Sequence, residues 1–170
     1  MTMFIEDFER SENSDEIFAV IGRALVIATR FDSTCKALAR ATDLKLHAYY
    51  GRVSDEDFDA LAERILKRYS ALNDSINKLC LPDDLSTVLH DARKARNEIA
   101  HDLAIGMEGC LDANLNAKEF MKTLSVCVKT LAYGDALTSM LLQRFNGDRS
   151  IHSEFINTYM NKIVHWVMER

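Results

Sequence analysis

The chain has 170 residues, 48% of them hydrophobic, with one proline, six glycines and a formal net charge of −5. That length supports one domain, residues 1–170, able to bury its own core, and so few prolines and glycines argue against a turn-rich all-β fold. The acidic balance excludes the broadly cationic surface of basic DNA-binding domains, so any nucleic-acid contact must be local.

Cys35, Cys80, Cys110 and Cys127 lie far apart, with no Cys-x-x-Cys pair and no histidine at zinc-ligand spacing. They read as reduced thiols, and neither a metal nor another cofactor is expected. The acidic start MTMFIEDFERSENSDE lacks the layout of a secretory signal. No apolar run approaches the roughly 20 residues that span a bilayer, so a cytoplasmic protein without a membrane segment is expected.

In chain order, residues 2–14 read as a short leading helix or an arm, since Phe4, Ile5 and Phe8 share a face. From Asp15 the stripe Ile17, Val20, Ile21, Ala24, Ala28, Phe31, Cys35 and Leu38 predicts a long first helix to about Ala41, with an acidic first turn suited to the helix dipole. A polar stretch with His47, Tyr49, Tyr50 and Gly51 follows. Ser54 and Asp57 make a capping-box-like start to a second helix, which Phe58, Leu61, Ile65, Tyr69, Leu72, Ile76 and Leu79 carry to Cys80.

After Pro82 comes LSTVLHDARKARNEIAHDLA, residues 85–104, the stretch around which the chain is organised. Leu85, Val88, Leu89, Ala92, Ile99 and Leu103 form one apolar stripe on an amphipathic helix, with Asp83 or Asp84 as its cap and Gly106 as its stop. The short connection LPDD implies that this helix folds back on its predecessor. GMEGCLDANLN is the most loop-like part of the chain. Asn116 and Glu119 then cap a long, broadly apolar fourth helix from Phe120 to Phe145, expected to be central or to face both a core and a partner. Asn146-Gly147-Asp148 breaks it, and Phe155, Ile156, Tyr159, Ile163, Trp166 and Val167 mark a last helix. The result is an all-α expectation: an up-and-down bundle of four long helices plus a shorter C-terminal one.

The motif helix carries Arg96-Asn97-Glu98-Ile99-Ala100-His101. In an α-helix Asn97 and His101 are one turn apart, with Arg93 a turn before Asn97, while Arg96 falls within the apolar stripe and needs a partner. RNEIAH resembles the signature of HEPN domains, helical bundles whose motif is Arg, four to six residues, then His, often with a polar residue after the Arg. The resemblance covers the motif helix by residues and the other helices by order and length, and it independently implies the same architecture.

It implies a metal-independent endoribonuclease that works as a homodimer, two motifs meeting in one cleft, in a toxin–antitoxin pair or an antiviral defence system. The substrate would be tRNA or mRNA, and an antitoxin or regulatory protein would be a further partner. The residue types suit that chemistry. Histidine titrates near pH 6.5 and moves protons at neutral pH. Arg96 would hold the phosphate with fork geometry, Asn97 would orient the imidazole or touch the phosphate, and the nucleophile would be the RNA's own 2′-hydroxyl. Arg93 and Lys94 are candidates for contacts to the RNA backbone. One departure matters: where the branch paired with a nucleotidyltransferase antitoxin has a modified tyrosine two residues after the His, this chain has Leu103.

A second reading keeps the bundle and drops the chemistry, making the protein a regulator or interaction module. Arg96 is then a structural ion pair with an acid such as Asp32 on the first helix, and His101 an exposed imidazole favoured by the helix C-terminus. His47, His90, His152 and His165 match no motif and read as structural, and Trp166, Tyr159 and the methionines read as core. A DNA-binding repressor fits less well, since no short helix pair with a basic second helix is present.

Overall fold

Residues 12–49 contain no proline and only Gly22, and they form one helix, α1 (Glu12–Tyr49), about 57 Å long at 1.5 Å per residue. The structure, a computed structural model, describes residues 12–49, 55–69, 71–103, 116–148 and 153–169; residues 2–11 of the expected arm, the Ser54 cap and Gly106 lie outside them, while residues 12–14, expected in the arm, belong to α1. The remaining helices are α2 (Asp55–Arg68), α3 (Leu72–Lys78), α4 (Asp83–Asn97), α5 (Ala117–Asn146) and α6 (Ser153–Met168), with a π-helical turn at Glu98–Asp102 extending α4. Among the described residues there is no strand, and no helix is long and apolar enough to cross a membrane.

The helices form a bundle around one core. Ile17, Val20, Ala24, Phe31 and Cys35 of α1 meet Leu89, Ala92 and Ile99 of the motif segment and Leu124, Val128 and Leu131 of α5. Helix α5 packs against α1, α4 and α6, which is the central position expected of it. Its ends are those the sequence signals: the Asn116 side chain accepts from the Glu119 amide at 3.2 Å, and Gly147 closes the helix at φ 84°.

Several expectations need correction. Helix α1 runs past Ala41 to Tyr49, because residues 42–49 hold no breaker and the buried Asp43 finds partners in residues 68–78. The second helix is two. The chain leaves helical geometry around Tyr69, and Ala71 is extended (φ −91°, ψ 136°) before α3 begins. What compensates is the Asp43 cluster: the Tyr69 hydroxyl donates to Asp43, Lys78 reaches it at 2.6 Å and Arg68 at 3.6 Å. Phe58 is left exposed. At α4 neither Asp83 nor Asp84 caps; Pro82 takes that position without a side-chain bond, and both aspartates sit in the first turn, where the dipole favours them. Trp166 is exposed, not core, because the neighbouring Val167 is fully buried and one residue along a helix turns the side chain by about 100°. Tyr159 is half-buried and donates to Asp135, which also binds Arg30 Nε at 2.9 Å.

The Asp43 cluster gives a pH prediction. Burial pushes this carboxyl up, but hydrogen bonds from Lys78 and Tyr69 and the charges of Lys78 and Arg68 outweigh it, so it lies below its ordinary 3.8. The unfolded chain takes up the proton first, so the stability this carboxylate contributes is whole above that value and is lost as pH falls through the lower folded one. Urea midpoints at pH 7 and pH 3 should therefore fall less in Asp43→Asn than in wild type. Equal falls would refute this role.

Candidate functional site

Helix α4 brings the motif to the far end of the bundle from Pro82. Ala92, Ala95 and Ile99 are buried against the core, so the segment sits with Arg96 turned toward α1. There Arg96 Nη2 lies 3.6 Å from Asp32 Oδ2, and its Nη1 donates to the Asn97 amide oxygen at 3.1 Å. Asp32 also binds Lys36 at 2.9 Å. The guanidinium is thus clamped from two sides, its side chain 28% exposed against 15% for Asp32. The Asp32 partner anticipated for Arg96 is the one present.

Past Asn97 the hydrogen bonding changes. The Leu103 amide donates to the Glu98 carbonyl, five residues back, at 2.8 Å. In an α-helix residues five apart differ by about 140° around the axis. A turn closed over five residues underwinds the helix and narrows that angle, while His101 still lies about one turn beyond Asn97. Such π turns are frequent at functional sites because they re-aim side chains without ending the helix. His101 is exposed and makes no hydrogen bond or ion pair among the described residues.

Glu98 was not singled out from the sequence. It lies near the buried Cys127 thiol of α5; burial first, then Glu98, pushes that thiol up to about 12. Cys127 is therefore an inert anchor for the turn, not a nucleophile. No sequence signal marks the pair, since 29 positions separate the two residues.

The proposed backbone contacts divide. Lys94 pairs with Asp91 at 2.9 Å on the solvent side, a contact worth a few tenths of a kcal/mol that a phosphate can displace. Arg93 is half-buried, and its Nε is enclosed with no partner. Of the histidines set aside, His90 bonds Asn77 of α3 at 3.2 Å and His165 pairs with Glu169 at 2.6 Å, while His152 lies outside the described residues. Arg96, Asn97 and His101 are brought to one end of α4, and Arg93 and Lys94 flank them one turn earlier. No family model, curated protein or solved structure matches the chain.

Proposed function

We propose that the chain is a HEPN-like, metal-independent endoribonuclease of a toxin–antitoxin or antiviral defence system. It acts as a homodimer in which two Arg96–His101 motifs line one cleft. The observation that supports this is the end of α4, where an exposed His101, without a hydrogen bond or ion pair among the described residues, follows within a π turn closely after an oriented, partly exposed Arg96. One imidazole takes the proton of the 2′-hydroxyl, whose oxygen attacks the adjacent phosphorus. The second, protonated, delivers a proton to the departing 5′-oxygen, and a 2′,3′-cyclic phosphate remains. Arg96 exchanges Asp32 for the phosphate and stabilises the charge that develops on it. Lys94 and Arg93 steer the backbone of a tRNA or mRNA toward the cleft. An antitoxin or regulatory protein covers the motif when the enzyme is silent.

Incubation of the purified protein with total RNA and tRNA in EDTA tests the reading. Fragments ending in cyclic phosphate are expected, and intact RNA under dimeric conditions would reject it. A second reading, a non-catalytic regulatory or interaction bundle, draws on the Arg96–Asp32 ion pair, which gives the arginine a structural task without any substrate.

A further inference from the structure

At the end of the bundle remote from His101, the C-terminal parts of α1 and α5 and the α3–α4 connection enclose an open cleft of about 230 Å³. Its lining is almost wholly apolar: Leu38, Leu79, Leu81, Leu141 and Phe145 supply the walls. Thr42 also lines it, but the hydroxyl is spent on the Leu38 carbonyl at 2.8 Å. The one charged group in the lining is the Arg144 guanidinium. From Leu81 to Arg96 is 15 residues, about 22 Å along a helix, so this is not the RNA site.

Two further observations bear on the cleft. Cys80 adopts φ 48°, the one positive φ among the described non-glycine residues, and both its neighbours, Leu79 and Leu81, line the cleft. Left-handed backbone at a non-glycine residue persists where surrounding structure requires it. Here the two leucines flanking Cys80 both line one concavity. Arg144, moreover, has no carboxylate partner among the described residues, so its exposed guanidinium is open to a bound anion. Lys45 adds a second cation at the rim, 4.5 Å over the Phe145 ring.

We infer that this cleft binds a small amphipathic monoanion, a short unbranched alkyl chain ending in a carboxylate, with the chain among the leucines and the anion on Arg144. Apolar walls with a single polar fixing group are what orient such a ligand. At the roughly 30 Å³ that a water-sized group occupies, the volume holds about seven heavy atoms, the seven alkyl carbons of an eight-carbon acid whose carboxylate stays outside them on the exposed Arg144, and one chain per cleft is accommodated.

Sodium octanoate, 1-octanol and phosphatidylglycerol vesicles separate the components. Calorimetry with amide chemical-shift mapping should show octanoate binding, its shifts confined to the segments around Thr42, Cys80 and Arg144. Octanol should bind about tenfold more weakly, and Arg144→Gln should bring octanoate down to the level of octanol. Leu141→Asn should weaken both ligands. Vesicles, which present the same charge and chains in a bilayer, should not sediment the protein. Equal affinity for octanoate and octanol, an unaffected Arg144→Gln variant with a native circular dichroism spectrum, shifts scattered over the surface, no binding at millimolar ligand, or sedimentation with vesicles would each overturn the assignment. RNA cleavage is read separately and is expected unchanged in Arg144→Gln.

Discussion

His101→Ala is expected to lose RNA cleavage by about 10²- to 10⁴-fold in kcat, the range for removing proton transfer, with no measurable change in folding. The structural half of that expectation follows from exposure: the imidazole touches nothing that its loss would leave unsatisfied, so stability should stay within about 0.5 kcal/mol. Arg96→Ala should behave differently. It removes the proposed phosphate clamp and also takes one of two cations from Asp32, whose Oδ1 is already buried without a hydrogen bond. Activity and stability should then fall together, the latter by about 0.5–1 kcal/mol, the worth of a partly exposed ion pair, since Lys36 still holds Asp32. Arg96→Lys separates the roles, keeping a charge for Asp32 while losing the fork that grips a phosphate. Rates on tRNA in EDTA and urea midpoints, measured on the same preparations, provide the comparison. If His101→Ala cleaves as wild type does, the histidine has no part in the chemistry. If nothing cleaves and only Arg96→Ala is destabilised, the regulatory bundle is the better account.

How far the sequence reached depends on the residue. The apolar spacing of α1 and α5 carried the core almost position by position, since a long helix packed on several neighbours repeats its pattern over many turns. The caps of α5 were legible because Asn116 with Glu119 and Gly147 are local devices. The break between α2 and α3 was not, because an unbroken 3.6-residue stripe crosses it and what compensates for the break is Asp43, 26 positions upstream of Tyr69. Asp32 could be named as the partner of Arg96, since an arginine on an apolar stripe demands an acid. The π turn could not be foreseen. It shifts the register by a fraction of a turn, a difference that side-chain periodicity over five residues does not resolve. Trp166 shows the opposite limit: both it and Val167 are apolar, and spacing alone does not say which faces inward.

The largest expected loss of stability belongs to Gly134, in the middle of α5. A Cβ built there would overlap the Cβ of Ala92 on α4 and press on Phe31 Cε2 of α1 at 3.2 Å, so three helices meet where this residue has no side chain. Gly134→Ala in an isolated helix would gain up to about 1 kcal/mol. In the bundle the overlap outweighs that gain, because the Ala92 Cβ is rigidly tied to the α4 backbone and no rotamer change can move it aside. The helices must part until carbon centres stand about 3.5–4.0 Å from one another, and the separation loosens Phe31, Ala92 and Leu131 together. We expect Gly134→Ala to cost about 2 kcal/mol and Gly134→Val about 3 kcal/mol or more, measured by urea unfolding. Ala92→Gly should recover most of the loss in the Gly134→Ala background while destabilising the wild type, a coupling that a double-mutant cycle reads directly. A Gly134→Ala protein more stable than wild type would show that the crossing yields freely. Because α4 also carries Arg96, displaced one turn along from Ala92, parting the helices pulls the guanidinium away from Asp32. Gly134→Val that still folds at low temperature should therefore lose cleavage beyond what its folded fraction explains, with His101 untouched.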